Sequence, residues 1–174
     1  MVYLMRLLYS GGGIMYQIGD KIFYPMHGAG IIEAIEEKEI LGEKQLYYIM
    51  NLSLGKIHVM IPTQKSTSLG IRDIVNSNIM ENVLSLFTSE AETETAVHPN
   101  QRYRNNMDKM KTGDIYEGAK VIRDLSRSSK KKPLGTSDKT LLNNARKILI
   151  SELVLVNDME QDQATDYLNT IINQ

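Results

Sequence analysis

A chain of 174 residues with 42% apolar and 24% charged side chains can build one ordinary domain or two small ones. It contains no cysteine, which excludes disulfides, thiolate metal ligands and a thiol nucleophile, and which fits a reducing cytoplasm. The net charge of −1 hides a segregation: residues 15–98 carry six basic against eleven acidic side chains, residues 99–150 thirteen against five, and residues 151–174 five acids and no base. A +8 block between two acidic flanks is the electrostatic footprint of a polyanion partner, although basic helices in general are more often solvated faces.

Met1 to Tyr9 is apolar but too short for a membrane span, which takes about 20 residues. Arg6 interrupts it and no small-residue cleavage site follows, so it is no signal peptide either. The run Ser10-Gly11-Gly12-Gly13-Ile14 reads as a translated purine-rich ribosome-binding site, which makes residues 1–14 a mis-assigned start or a disordered extension before Met15.

Residues 18–62 have the pattern of short strands and tight turns. Lys21 to Tyr24 is β-rich and stops at Pro25, Gly28-Ala29-Gly30 reads as a turn, and Ile31 to Ile40 resumes as a strand whose imperfect alternation predicts a bulge. Gly42 turns the chain into a strand over Gln45–Leu52, and Gly55 turns it again into Lys56–Ile61, closed by Pro62. About four or five such strands suggest a small, strongly bent SH3- or Tudor-like β-barrel, taken as residues 15–70.

After Pro62 the apolar period lengthens to about 3.6. Ile79, Val83, Leu84 and Phe87 mark a first helix, and the polar, acidic stretch Ser89–Asn100 reads as a loop. Tyr103, Met107 and Met110 line a second helix ended by Gly113. Ile115, Ala119, Ile122 and Leu125 line a third, with Asp114 as its N-cap. Lys130 to Gly135 reads as a basic connection that no helix continues through. A long helix then starts near Thr136, and Asn157 and Glu160 have capping-box spacing before a last one carrying Ala164, Tyr167, Leu168 and Ile171. The expected architecture is α+β: an N-terminal barrel followed by an all-α bundle over residues 71–174.

Catalytic signals are weak. His27, His58 and His98 have no metal-ligand spacing, there is no phosphate-binding glycine loop and no nucleophile elbow, and Glu33, Glu36, Glu37 and Glu39 fit a solvated hairpin better than a metal site. The expectation is a non-enzyme without metal or cofactor.

The run Ile18-Gly19-Asp20 … Tyr24-Pro25-x-His27-Gly28-Ala29-Gly30 … Ile32-Glu33-Ala34-Ile35 closely resembles the opening of the CarD/CdnL family of bacterial transcription regulators. The likeness continues through Gly42-Glu43, Val59-x-Ile61-Pro62 and Ile71-Arg72-Asp73, and returns as Arg102-Tyr103-x-x-Asn106, Gly113-Asp114 and Val121 to Leu125. It closes with Ala145-Arg146-x-Ile148-Leu149 and Ser151-Glu152-Leu153, covering roughly residues 15–157. The barrel is shared with the transcription-repair coupling factor. The resemblance implies that the barrel binds the RNA polymerase β subunit, and that the helical domain touches upstream promoter DNA and stabilises the open complex. It further implies a cytoplasmic, nucleoid-associated protein that is monomeric on polymerase and has no membrane partner.

Residue by residue, the family's polymerase contacts match Lys38 and Met60, the latter replacing a commonly basic residue; Ile40 and Val59 are taken with them as contacts, Val59 and Met60 on an exposed strand edge. The family's DNA wedge, a Trp, is matched by Pro99 beside His98. Two readings stay open, a weaker wedge or reliance on phosphate contacts alone, and the second is preferred. Phosphate-contact candidates are Arg102, Arg104, Arg127, Lys130, Lys131 and Lys132, with Lys139 and Arg146 at basic positions of the family; Gln101, Ser128 and Asn144 lack the family's charge. Arg123 and Asp124 read equally well as an internal pair. The alternative function is a Tudor-like nucleic-acid-binding or protein-adaptor module that does not bind polymerase; an enzyme with an unrecognised site is a further rival.

Overall fold

The structure, a computed structural model, describes residues 15–89 and 98–174. Residues 1–14, the expected mis-assigned start or extension, and most of the expected acidic loop lie outside these residues. Five strands, β1 (Lys21–Tyr24), β2 (Gly28–Ile40), β3 (Glu43–Leu52), β4 (His58–Pro62) and β5 (Arg72–Asp73), form one antiparallel sheet in the order β4-β3-β2-β1-β5. A single 3-10 turn over Thr63–Lys65 leads away from β4. Ile61 of β4 and Ile71 next to β5 belong to one buried cluster with Tyr16, Ile22, Ile32, Tyr48 and Met50, so the sheet curls until its two edges share a core. Tyr16 closes that curl: its hydroxyl donates to the Ile71 carbonyl at 3.1 Å and its ring meets Tyr48 edge-on at 5.9 Å.

The expected bulge falls between Ile32 and Ala34. Ile32 and Ile35 are three residues apart and would face opposite sides of a regular strand; the extra residue, Glu33, lets both face the core. Two boundaries differ from expectation. Gly28–Gly30 is the start of β2 and not a turn; the reversal is at Pro25–His27, where Met26 takes φ 67°. Gly30 is glycine for space, since a Cβ there would overlap the Asn51 carbonyl of β3. Lys56 sits in a turn at φ 52°, which delays β4 to His58. The two residues of β5 pair with Ile22 and Phe23, so the sheet runs on to Asp73.

The helices are α1 (Ser77–Ser85), α2 (Pro99–Lys111), α3 (Ile115–Lys131), α4 (Thr136–Asn157) and α5 (Gln161–Asn173). Asp114 caps α3 as expected, accepting from the Tyr116 and Glu117 amides at 2.8 and 3.0 Å. Phe87 lies beyond α1 yet stays buried. The capping box before α5 joins Glu160 to Gln163 rather than Asn157 to Glu160, because Asp158 ends α4 in the left-handed region at φ 51°. Met80, Val83, Ile122, Leu125, Leu153 and Leu168 are fully buried between the helices.

The sheet and the bundle are in direct contact. The β1–β2 turn, the start of β2 and the turn after β3 reach across: Pro25 packs under Gly113, the Ala29 amide donates to Ser151 Oγ of α4 at 2.8 Å, and Ser53 Oγ donates to the Ser151 carbonyl at 2.7 Å. Gly30→Ala should cost about 3 kcal/mol through overpacking against backbone, whereas Gly42→Ala, at φ 82° with open space around it, should cost about 1 kcal/mol. Urea denaturation of both variants checks the difference.

Candidate functional site

Two surfaces carry the residues singled out in the sequence. The first is the outer face of the sheet. Cross-strand pairing sets Met60 opposite Ile49 and Ile49 opposite Ala34, and two and three steps along β2 on the same face come Lys38 and Ile40. Met60 is 49% and Ile40 40% exposed, and the fully exposed Leu41 extends the apolar rim at the β2–β3 turn. Lys38 is half-buried and pairs with Glu36 at 2.5 Å, a contact that solvent screens. Val59 is opposite the buried Met50 and packs on the core, so it offers the outside its backbone rather than its side chain. Among the described residues β4 pairs only with β3, which leaves its other edge open.

Beside Met60 lies a small polar network. Glu33, freed by the bulge, accepts from Asn51 Nδ2 at 2.6 Å and meets His58 Nε2 at 2.9 Å. The Asn51 hydrogen bond first, and the His58 contact second, hold the Glu33 carboxyl below its ordinary value of 4.5. A lowered folded value means that the contribution is present above the unfolded pKa and is lost as pH falls through the folded one. Asn51→Ala should therefore raise the Glu33 titration midpoint, as read by carboxyl NMR.

The second surface is one end of the helical unit. Arg102 in the first turn of α2 forms an ion pair with Asp138 in the first turn of α4. Lys132–Gly135 is all that separates the end of α3 from the start of α4. The start of α2, the end of α3 and the start of α4 thus converge. His98 and Pro99 sit exposed at this end as the start of α2: Pro99 is its first residue and His98 Nδ1 accepts from the Asn100 amide at 3.4 Å. The basic run is less of a loop than expected, since α3 continues to Lys131.

The cations divide into two kinds. Arg102 is held by the buried Asp138, Arg127 donates to the Phe87 and Ser89 carbonyls at 3.2 and 2.5 Å, and Arg146 donates to Asn169 of α5. Arg123 is buried against Asp124 at 2.8 Å and is an internal pair. Lys130 reaches the Ile172 carbonyl of α5 at 3.3 Å while remaining exposed. Arg104, Lys131, Lys132 and Lys139 are exposed and point their charge at solvent. Arginine's fork geometry is used here to tie helices, while flexible lysines supply most of the accessible charge.

What sequence reasoning missed are the buried partners. Asp138 and Glu152 are the carboxylates around which the cations and the two modules are arranged, and Glu152 is 0% exposed. Their signal was an acid beside apolar positions of a long amphipathic helix. Among the described residues no group of three His, Asp or Glu is arranged to hold a metal ion, and no helix is long and apolar enough to cross a membrane.

A curled sheet with an open edge is thus joined to a helical unit with a cationic end. Residues 16–75 match the family described as CarD-like/TRCF RID domain, and residues 82–169 match CarD, C-terminal domain. The chain belongs to the CarD family. It is 47% identical over 153 residues to the Bacillus subtilis (strain 168) protein named "Putative transcription factor YdeB", a match spanning 88% of this chain and 99% of that protein.

Arg102→Ala strands the Asp138 carboxylate in the interior and should cost about 3 kcal/mol. Lys131→Ala and Lys132→Ala should each stay within about 0.5 kcal/mol of the parent. Thermal unfolding of the three variants separates structural from accessible cations.

Proposed function

We propose that the protein binds the RNA polymerase β subunit through the outer face and open edge of its sheet, and lays the cationic end of its helical unit on upstream promoter DNA to stabilise the open complex. The observation that supports this most is the co-occurrence, in order, of both CarD-family domains in one chain, each presenting an accessible surface suited to its part. On the sheet, Lys38, Ile40 and Met60 share one exposed face, and the backbone of Val59 and Met60 lies at the edge, where strand addition supplies hydrogen bonds indifferent to side-chain identity. That indifference accommodates methionine at a position where relatives commonly carry a base.

On the helical unit the phosphate contacts are Arg104, Lys130, Lys131, Lys132 and Lys139, which remain exposed at or near one end. Arg102, Arg127 and Arg146 act indirectly by holding the helices that carry them. Pro99 and His98 shape the start of α2, and the surface relies on phosphate contact instead of a wedge. Such contacts position without reading sequence. The site of action is the nucleoid, in the cytoplasm, with one copy of the chain on each polymerase.

Met60→Asp should abolish capture of the polymerase β subunit by the full chain. The Lys130/Lys131/Lys132 triple alanine variant should keep that capture, lose most of the increase in open-complex lifetime at a ribosomal promoter, and flatten the salt dependence of DNA binding by about 0.9 log units per phosphate contact removed. Capture that survives Met60→Asp, or a wild-type chain that leaves the open-complex lifetime unchanged, would sink the proposal.

A further inference from the structure

One buried cluster belongs to neither surface. Glu152 of α4 is fully buried and accepts three hydrogen bonds, from Arg72 Nη1 at 2.7 Å, Arg72 Nη2 at 3.0 Å and the Val75 amide at 3.0 Å. Arg72 belongs to β5, and its Nε donates to the Gly113 carbonyl between α2 and α3 at 3.0 Å. Its guanidinium also lies 4.0 Å over the Phe23 ring of β1. One ion pair therefore touches β1, β5, the connection from sheet to bundle, the α2–α3 turn and α4. The β1–β2 turn adds a second attachment to the same helix, where a Cβ on Gly28 would stand 2.6 Å from Ser151 Oγ, and Lys21 Nζ donates to the Leu155 carbonyl at 3.1 Å.

We propose that Glu152, through Arg72, is a positioning residue that locks sheet and bundle into one rigid body, fixing the distance and angle between the polymerase-facing and DNA-facing surfaces. A bidentate guanidinium–carboxylate pair has a defined plane, so it fixes orientation where an apolar contact of equal area would allow slip. Anchored at both ends of α4's last turns, the bundle has no independent swing. The functional part of this inference rests on the polymerase reading above; the rigidity does not.

The test compares the wild-type chain with Arg72→Met/Glu152→Leu, which removes the pair while keeping its volume apolar, a change that cores often tolerate. Backbone ¹⁵N relaxation should give sheet and bundle one common rotational correlation time in the wild type, and separate, shorter ones in the double variant. Should the double variant lose its folded bundle, Arg72→Lys, which keeps the cation and removes the bidentate grip, carries the same comparison. Rescue then distinguishes positioning from mere stability. The chain has no cysteine, and a Cβ on Gly28 would lie 3.4 Å from that of Ser151, within reach of a disulfide; Gly28 takes φ 107°, so the same cysteine pair in the wild-type background is the control for the strain it brings. Adding Gly28→Cys and Ser151→Cys to the variant should restore the common correlation time and the open-complex lifetime when oxidised, and lose both on reduction.

A common correlation time in a folded variant overturns the lock. Separate times with an undiminished effect on the open complex overturn its positioning role, as does oxidation that restores rigidity without restoring the effect. A wild-type chain that tumbles as one body but leaves the open complex unchanged sinks the polymerase reading and leaves the lock standing.

Discussion

The carboxylate of Glu152 has no access to water, and a charge in that position is tolerable only because three donors converge on it. Those donors come from the end of the sheet and from the segment leading out of it, so the acid can be satisfied only when sheet and bundle are docked in one way. The same logic reaches Arg72, which donates two further hydrogen bonds, from Nε to the Gly113 carbonyl and from Nη1 to the Asp73 carbonyl. A hydrophobic seam could have held the two halves as tightly. A hydrogen-bonded ion pair holds them in a single register, since any slip leaves a buried charge unpaired.

This constraint gives the opening motif a second meaning. Tyr24-Pro25-x-His27-Gly28-Ala29-Gly30 looks like an ordinary strand–turn–strand, but its members are chosen for the helices as much as for the sheet. Pro25 fits under Gly70 and Gly113, Gly28 clears Ser151, and Met26 packs with the bundle core. His27, the one histidine of the motif, is exposed and stacks on Tyr24 at 4.2 Å, a packing role rather than a chemical one.

Periodicity made the five helices, the sheet of short strands and the bulge legible in the sequence, because each is a local pattern of apolar residues. The failures share a cause. β5 is two residues long and has no period; it exists because β1 needs a neighbour. Gly30 looked like a turn residue because glycine serves both turns and close approaches, and only the path of β3 distinguishes them. The cationic block was visible as charge, yet which cations are accessible depends on partners distant in sequence: Asp138 for Arg102, the Phe87 and Ser89 carbonyls for Arg127, and Asn169 for Arg146. A count of basic residues does not tell which of them are tied to partners inside the fold.

The accessible cations bear on how the proposed activity can work. A handful of exposed cations gives weak, salt-sensitive attraction to DNA, too little to hold a promoter unaided. Attachment to polymerase would replace bulk concentration by effective concentration, and the gain depends on how the two contacts are joined. A flexible connection would spread the helical unit over every position within reach, most of them far from the opening duplex. A docked connection would confine it to one, so that the free energy spent burying Glu152 would return as pre-organisation of the end proposed to face DNA. On the proposed function, the buried pair and the exposed lysines would be parts of one device: the pair would determine where positive charge is presented, and the lysines how strongly a phosphate backbone is held there.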